Sequence, residues 1–382
     1  MFKKIGIFCF TAFCTAAFAA AAPSAPEITA AAYAVEDAQS GQIFSSKGLH
    51  DAIEPGALVK MMTAYLAFQA LANNELSADR MLAVSEAGWK TEGSRLFLEP
   101  KTPIRADELI QGMIVTSGND AAVTLAEAIA GSETNFVRKM NQEAKKMGLT
   151  DTHFENATGL SASGQHSSAA DLLRLAKALI QDYPQYYAWF AERSFKYRDL
   201  TQPNRNLLLY RDSSVDGIAV GYTVSSGYHL AAASKRQGRR VISVVLGADS
   251  TEARATENGK LLNWALDTYE TPLLYQANDP LFSVSVYKGV RNTVNIGFLQ
   301  AAYVSIPANS ATELKPILET HQPVVAPIHK GDVLGTLKLM NGDKLVAQKP
   351  VVALHDVEAS NWFGRMWDGV RLWLKSLFAS SS

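Results

Sequence analysis

The stretch from residue 54 to residue 71 reads EPGALVKMMTAYLAFQAL. It opens with a proline–glycine turn and continues as an apolar, helix-forming run in which Lys60 is the one charged residue. Burying an unpaired ammonium is costly or forces its pKa down, so a lysine at such a position needs a partner or a use. Lys60 is therefore a candidate functional residue, and Ala57, one helical turn before it, needs an explanation.

The composition is that of a globular protein. The 382 residues are 47% hydrophobic and 19% charged, which suits a chain of about two domains. The formal net charge of −1 lacks the basic surplus that is usual in nucleic-acid-binding proteins. The seven histidines show no paired metal-ligand spacing such as HxxxH. We therefore expect the protein to bind no nucleic acid, metal or cofactor.

Residues 1–22 are typical of a secretory signal peptide. Lys3 and Lys4 precede an apolar run, and small residues follow it. The run is too short for a comfortable membrane span. Both cysteines, Cys9 and Cys14, lie inside this segment, so we expect the exported protein to contain no disulfide, thiol nucleophile or thiolate metal site.

Helical apolar spacing, at i, i+3 and i+4, dominates residues 57–182. Gly131 and Gly148 stand where helix C-caps are expected. Ser168 with Asp171 resembles a capping box at a helix start. The pattern predicts helices at 106–115, 121–131, 133–149 and 168–180, and a later helix at 252–270 is predicted to close the domain.

Strand-like alternation flanks the helical block on both sides. Hairpins are predicted at 31–47, around Ser40-Gly41, and at 227–248, around Gln237-Gly238. Strands at both ends with helices between them predict an α+β domain with an antiparallel sheet over about residues 27–270.

The remaining residues divide into a β-rich part and a tail. Asn341-Gly342 between two alternating runs is a strong hairpin signal, and we expect a small all-β domain over about residues 273–357. The segment 361–380 is amphipathic and basic, with tryptophans along its apolar side. It is too polar to span a bilayer, and we expect it to lie on a membrane surface. The alternative is a terminal helix that docks on the protein's own β-domain.

Further segments carry candidate functional residues: TSGNDAA (116–122), NRNLLLY (204–210) and VDGIAVGYTVSSGYHL (215–230). With EPGALVK (54–60) and THFENATGLSASGQHSSAADLLRLAKALI (152–180), they resemble the penicillin-binding D-alanyl-D-alanine carboxypeptidases, serine peptidases that trim peptidoglycan stem peptides. The resemblance covers nearly the whole chain after residue 22. It implies a penicilloyl-serine-transferase or β-lactamase-like fold for the first domain, followed by the β-domain and the amphipathic tail.

The mechanism of that family uses an SxxK motif, in which a serine nucleophile and a lysine base share one helix face. This chain has Ala57 at the serine position and retains Lys60. The SxN motif is intact as Ser117-Gly118-Asn119, and the resemblance gives it a role in proton relay and peptide binding. An alternative is that Lys60, Ser117 and Asn119 hold one another as a structural hydrogen-bonding centre.

The third family motif, KTG, supplies a cation and a hydroxyl for the terminal carboxylate of the substrate. Here it reads Ala219-Val220-Gly221, so only the glycine remains, with Thr223 shortly after it. Arg254 matches the arginine that helps to hold the substrate carboxylate in this family. Gly221, Thr223 and Arg254 are therefore the predicted substrate-binding residues.

Alanine has no atom that attacks a carbonyl, so the acyl-enzyme route and covalent capture of β-lactams are expected to be closed. We expect a non-catalytic, periplasmic relative attached to the outer surface of the inner membrane, which binds peptidoglycan stem peptide weakly or binds a cell-wall enzyme. One alternative is a residual carboxypeptidase that uses Lys60 with Ser117 or a water molecule. The other is a pure interaction module that acts through the β-domain and the tail.

Overall fold

The computed structural model describes residues 24–308, 314–362 and 366. The predicted signal peptide, 1–22, lies outside these residues, as does nearly all of the predicted tail helix, 361–380. Both remain predictions. In the described part of the chain, no helix is long and apolar enough to cross a membrane.

The predicted helical block is present, and its ends are capped as expected. The Ser168 hydroxyl accepts the N–H of Asp171 at 3.2 Å. Gly131 and Gly148 follow the last residues of two helices with φ of +77° and +70°, a conformation that favours glycine. The described α-helices are α1 (Lys60–Ala72), α2 (Glu86–Lys90), α3 (Ala106–Thr116), α4 (Asn119–Ala130), α5 (Glu133–Met147), α6 (Ala169–Asp182), α7 (Pro184–Tyr187), α8 (Leu208–Arg211) and α9 (Thr251–Thr268).

The strands occupy both ends of the helical block and the region after it. They are β1 (Ala32–Asp37), β2 (Ile43–Lys47), β3 (Met81–Leu82), β4 (Ile104–Arg105), β5 (Ser194–Tyr197), β6 (Leu200–Pro203), β7 (Val215–Thr223), β8 (Gly227–Arg236), β9 (Arg239–Ala248), β10 (Tyr269–Glu270), β11 (Leu273–Tyr275), β12 (Pro280–Tyr287), β13 (Thr293–Gly297), β14 (Ala302–Tyr303), β15 (Ile306–Pro307), β16 (Leu314–Thr320), β17 (Val324–Val325), β18 (Val333–Asn341) and β19 (Lys344–Ala353).

The central sheet has the strand order β2-β1-β9-β8-β7, and each neighbouring pair is antiparallel. Successive residues of a strand face opposite sides. Along β8, Leu230 and Ala232 pack in the core that includes α9, whereas Ala231 and Ala233 pack in the core formed with α1 and α3 to α6. The sheet is therefore covered on both faces, and β7 forms one of its edges. This is the α+β architecture that the sequence predicts.

A second sheet of six strands, in the order β16-β18-β19-β13-β12-β17, follows in the chain. Its apolar core includes Val294, Ile296 and Val351. The predicted hairpin is present as β18 and β19, but Asn341 pairs with Lys344 and ends the strand. The two-residue turn is therefore 342–343, one position later than the Asn-Gly dipeptide suggests. Gly342 supplies the left-handed conformation, with φ of +56°.

Candidate active site

Lys60 is the first residue of α1 and follows a single 3₁₀ turn, Gly56–Val59. Its side chain is buried between helices rather than exposed to solvent. The Nζ atom donates hydrogen bonds to Oδ1 of Asn119 and to the carbonyl oxygen of Thr158, each at 2.6 Å. The lysine of the opening stretch is therefore held by two neutral acceptors and not by a carboxylate.

This environment changes the charge of the lysine. Burial lowers the pKa of Lys60 to about 7, the charge of Arg205 acts in the same direction, and that of Asp120 opposes them. A neutral amine that donates two hydrogens keeps its lone pair, and an amine with a depressed pKa can act as a base at neutral pH. Ala57 lines the same cleft as Lys60 and presents only a methyl group there.

Ser117 and Asn119 lie at the junction between α3 and α4. Ser117 ends α3 in the left-handed conformation, with φ of +59°. Both polar atoms of the Asn119 side chain are engaged, because Oδ1 accepts from Lys60 and Nδ2 donates to the carbonyl oxygen of Glu92 at 2.7 Å. In the described part of the chain, the Ser117 hydroxyl has no hydrogen-bond partner. Lys60 is thus held by Asn119 and by a backbone carbonyl, and not by Ser117.

The next residue, Asp120, anchors the loop that covers one side of the site. Its buried carboxylate accepts the backbone N–H groups of Leu96 at 2.8 Å and of Leu98 at 3.0 Å. Hydrogen bonds from N–H donors to a carboxylate are about twice as strong as bonds between neutral groups. Gly93 and Ser94, just before these donors, line the cleft.

Strand β7 forms the opposite wall, and its backbone lies very close to the start of α1. A Cβ at Gly221 would lie 2.6 Å from the carbonyl oxygen of Pro55, so a larger residue does not fit without movement. Val220 and Gly221 line the cleft, and Ala219 lines a small hollow that adjoins it. Ala219 and Val220 themselves bring no charged or hydroxyl group to this wall.

Thr223 lies at the end of β7, and its buried hydroxyl contacts those of Ser225 and Ser226 and does not line the cleft. Ser226 Oγ also lies 3.3 Å from Nε2 of His229, a contact similar to a nucleophile–base pair. However, Nδ1 of His229 accepts the N–H of Gly247 at 3.0 Å, so Nε2 carries the hydrogen and donates it. Burial lowers the pKa of His229 to about 4, so this ring stays neutral and has no lone pair free to accept the proton of Ser226.

Arg254 extends from the first turn of α9 to the end of β7. Its Nη1 donates to the carbonyl oxygens of Gly221 at 2.8 Å and of His229 at 3.3 Å. The guanidinium also lies over the ring of Tyr228, 5.6 Å from the ring centre. Burial lowers the pKa of Arg254 to about 10, so the group still carries its charge at neutral pH.

A cleft of about 350 Å³ brings most of the predicted site residues together. In the described structure it also contains Arg205 and Thr158, which sequence reasoning missed. Both residues stand in quoted segments, Arg205 in 204–210 and Thr158 in 152–180, but a backbone carbonyl such as that of Thr158 has no signal of its own in the sequence. No group of three or more metal-ligating side chains is found among the described residues. The predicted residues that line the cleft are Ala57, Lys60, Ser117, Asn119, Gly221 and Arg254.

Comparison with known families gives the chain its ancestry. The family model for D-alanyl-D-alanine carboxypeptidase matches residues 19–250, and the model for the C-terminal domain of penicillin-binding protein 5 matches residues 269–359. The chain belongs to the D-alanyl-D-alanine carboxypeptidase family. The family resemblance drawn from the sequence motifs is thereby confirmed.

Individual members of the family match over nearly the full chain. D-alanyl-D-alanine carboxypeptidase DacC of Escherichia coli K12 is 36% identical over 364 residues, which cover 93% of this chain and 91% of that protein. DacA of Haemophilus influenzae is 34% identical over 360 residues, or 93% of this chain and 92% of that protein.

Solved structures of the family confirm the fold. Penicillin-binding protein 5 of Haemophilus influenzae superposes with a TM-score of 0.84 at 33% identity, covering 88% of this chain and 99% of that one. Penicillin-binding protein 6B of Escherichia coli superposes with a TM-score of 0.72 at 33% identity, and the match covers 86% of this chain and 96% of that one. The predicted β-lactamase-like α+β domain with a following all-β domain is therefore confirmed.

Proposed function

We propose that this protein is a non-catalytic member of the D-alanyl-D-alanine carboxypeptidase family that binds peptidoglycan stem peptides non-covalently in the cleft. The observation that carries the proposal is Ala57 beside Lys60, a methyl group where the family motif has its serine. Removing the serine nucleophile of a well-studied serine hydrolase lowers the rate by about 10⁶. The hydrogen-bonded amine of Lys60 then has no hydroxyl at position 57 to activate.

The geometry that supports peptide binding is the free edge of β7. An edge strand presents unpaired N–H and C=O groups to which an extended peptide adds as a further strand. β7 is bonded to β8 on one side only in the described sheet, and its outer side borders the cleft. The charge of Arg254 at one end of this edge suits the C-terminal carboxylate of a peptide.

A residual carboxypeptidase is the second candidate, and one observation favours it. Ser117 lines the same cleft as Lys60, and its hydroxyl has no partner among the described residues. A lysine with a pKa of about 7 would be a competent base for it. Against this stands the position of Lys60, whose amine is directed to Asn119 and Thr158.

One experiment separates the two candidates. The protein without its signal peptide is incubated with a pentapeptide that ends in D-Ala-D-Ala, and released D-alanine is assayed while calorimetry measures binding. The non-catalytic proposal predicts heat of binding and no D-alanine. Release of D-alanine that is abolished in Ser117→Ala would establish the residual enzyme instead. Heat traces that stay flat would leave a pure interaction module, with a cell-wall enzyme as the partner to be sought.

The proposal includes export to the periplasm and attachment to the outer surface of the inner membrane through 361–380. Its support is the sequence pattern of these two segments, a signal-like start and an amphipathic, basic end. Deleting 361–382 is expected to move the protein from the membrane fraction to the soluble periplasmic fraction. Retention of the truncated protein in the membrane fraction would refute this anchor.

A further inference from the structure

Lys60 carries a buried nucleophilic amine that the proposed function leaves unused. The residue is only 5% exposed, yet it lines both the cleft and a hollow of about 20 Å³ that adjoins it. In the described part of the chain, its amine donates to Asn119 and to the carbonyl of Thr158 and forms no ion pair. These two bonds use both N–H groups of a neutral amine, so the lone pair of Nζ stays free to react.

The groups around Lys60 favour the neutral amine. Burial lowers the pKa of Lys60 to about 7, and the charge of Arg205 acts in the same direction. Asp120 on α4 opposes them, but its carboxylate accepts the N–H groups of Leu96 and Leu98. At pH 8 an amine with this pKa is about 90% neutral, whereas an ordinary lysine is less than about 1% neutral. The other titratable side chains that line the cleft are Tyr222, Tyr228 and Arg254.

The hollow beside Lys60 offers space and partners for a small anion. Ala57 and Ala219 line it, at positions where the family motifs have a serine and a lysine. Ser117 lines it as well, and the hydroxyl of Ser117 has no hydrogen-bond partner among the described residues. Arg205 adds a positive charge to the same lining. An anion formed on Nζ therefore meets a free hydroxyl donor and a favourable charge.

We propose that Lys60 is a carbamylation site, at which carbon dioxide adds to Nζ and the carbamate occupies the space between Ala57 and Ser117. The lone pair of Nζ attacks the carbon of carbon dioxide, the N–C bond forms, and one C=O electron pair moves onto oxygen. Nζ then releases one proton to solvent, so the neutral amine becomes an anion. The carbamate nitrogen keeps one hydrogen for Asn119 or Thr158, and the hydroxyl of Ser117 donates to a carbamate oxygen.

This inference goes beyond the proposed function, because no peptide takes part in the reaction. The modification turns residue 60 into a negative group in a cleft whose other described charged lining residues are arginines. Carbon dioxide would therefore change the charge that the cleft presents to any ligand.

The test traps the carbamate and locates it in the chain. The purified protein is held at pH 8 with isotope-labelled bicarbonate, and a trialkyloxonium salt converts carbamates to stable esters. Peptide mapping by mass spectrometry is expected to find the ester on Lys60. The carbamate signal in carbon NMR is expected to be lost in Lys60→Met and unchanged in Lys349→Met. Lys349 is the matched control, because burial lowers its pKa too but it lies outside the cleft.

A further variant tests where the carbamate lies. Ser117→Ala keeps Lys60 and removes only the proposed hydroxyl donor, so it is expected to lower the carbamate occupancy about tenfold, as for the loss of one hydrogen bond to a charged group. Unchanged occupancy in Ser117→Ala would overturn the placement of the carbamate beside Ser117.

The trapping result also separates this inference from the proposed function. The α-amino group, with an ordinary pKa of about 8, forms a carbamate as well and is the positive control for trapping. An ester on the α-amino group but none on Lys60, or esters spread equally over the lysines, would show that the inference is wrong and would leave peptide binding unaffected. An ester on Lys60 in a protein that binds no pentapeptide would support the inference and refute the proposed function.

Discussion

Lys60 illustrates how burial, rather than an ion pair, sets the chemistry of one residue. Its pKa in the folded protein is about 7, against an ordinary value of 10.5. Between these two values the unfolded chain binds more protons than the folded protein does. Stability must therefore rise as pH increases from about 7 towards 10, with a slope of up to about 1.4 kcal/mol for each pH unit.

The measurement is urea denaturation at several pH values between 7 and 9, for the natural protein and for Lys60→Met. The variant keeps a similar side-chain length but has no group to titrate, so the slope attributable to residue 60 is expected to disappear. Equal slopes in the two proteins would show that Lys60 remains charged when folded.

A second prediction for a single residue concerns Ala57. Because Lys60 retains a base-like environment, Ala57→Ser places a hydroxyl one helical turn from an amine that is largely neutral above pH 7. We expect Ala57→Ser to gain slow covalent labelling by a fluorescent penicillin, measured on a denaturing gel. The rate should rise with pH near 7, and adding Lys60→Met should abolish it. Labelling that is equal with and without Lys60 would contradict the assignment of Lys60 as a base.

The sequence alone identifies much of this site but not the partners that tune it. Lys60, Ser117 and Asn119 are recognisable because their spacing follows a motif. The carbonyl of Thr158 is not recognisable, since any residue type carries a backbone carbonyl and only the folded chain places it 2.6 Å from Lys60. Arg205 was passed over for a similar reason, because its importance depends on which wall of the cleft it faces.

At the scale of elements, the contact between β7 and the first turn before α1 defines the shape of the cleft. Gly56 has φ of +53°, and a Cβ there would lie 2.8 to 3.1 Å from backbone atoms of Tyr222. Gly342 has a similar φ of +56°, but a Cβ there would meet nothing within 4 Å. Comparing alanine substitutions at the two glycines therefore separates the cost of backbone strain from the cost of a steric clash.

Gly342→Ala is expected to cost only the left-handed strain, about 1–2 kcal/mol. Gly56→Ala should cost clearly more, roughly 3 kcal/mol or above, because β7 must also move. Chemical denaturation of each variant, followed by one spectroscopic signal that reports on both domains, measures the difference between the two losses of stability. Similar losses of stability in the two variants would mean that β7 is not packed against Gly56 as described.

The predictability of elements follows from how local their causes are. The caps at Ser168, Gly131 and Gly148 were predicted correctly because a cap depends on a few neighbouring residues. The short strands β5 and β6 gave no alternation long enough to detect, since each has four residues. The turn after Asn341 was misplaced by one position, because strand register decides whether a residue pairs or turns.

At the scale of the whole molecule, one buried polar cluster connects the first domain to the segment that leads into the second. The carboxylate of Asp37 is fully buried and accepts from Arg239 and from Thr271, each at 2.8 Å. Thr271 in turn contacts the hydroxyl of Ser305 at 2.8 Å. Asp37 is the last residue of β1 and Arg239 is the first residue of β9, and these two strands are neighbours in the sheet. The cluster therefore joins residues that are far apart in the chain.

Asp37→Ala is expected to destabilise the protein by about 3–5 kcal/mol, because it leaves the largely buried guanidinium of Arg239 without its counter-ion. Glu252→Ala is the matched control, since it breaks the solvent-exposed pair with Arg211 and should change little. Thermal unfolding of both variants, with the unaltered protein alongside, gives the comparison. Equal effects in the two variants would contradict the structural importance of the buried cluster.

The overall architecture could be predicted only in part from physical pattern. Helical and alternating periodicities gave the α+β class and the two regions of different character. They did not give the pairing of β1 with β9, because two strands about 200 residues apart can be brought together in several orders that bury the same apolar faces. The family resemblance supplied the β-lactamase-like fold, and the comparison with solved structures confirmed that fold.

Intact-mass spectrometry after incubation with benzylpenicillin tests most directly whether this member of the family has lost its acyl-enzyme chemistry. We expect the mass of the natural protein to stay unchanged at every pH between 6 and 9, while Ala57→Ser gains the mass of one penicilloyl group. A stable penicilloyl adduct on the natural protein, located by peptide mapping to Ser117 or to any other residue, would show that the acyl-enzyme chemistry is retained.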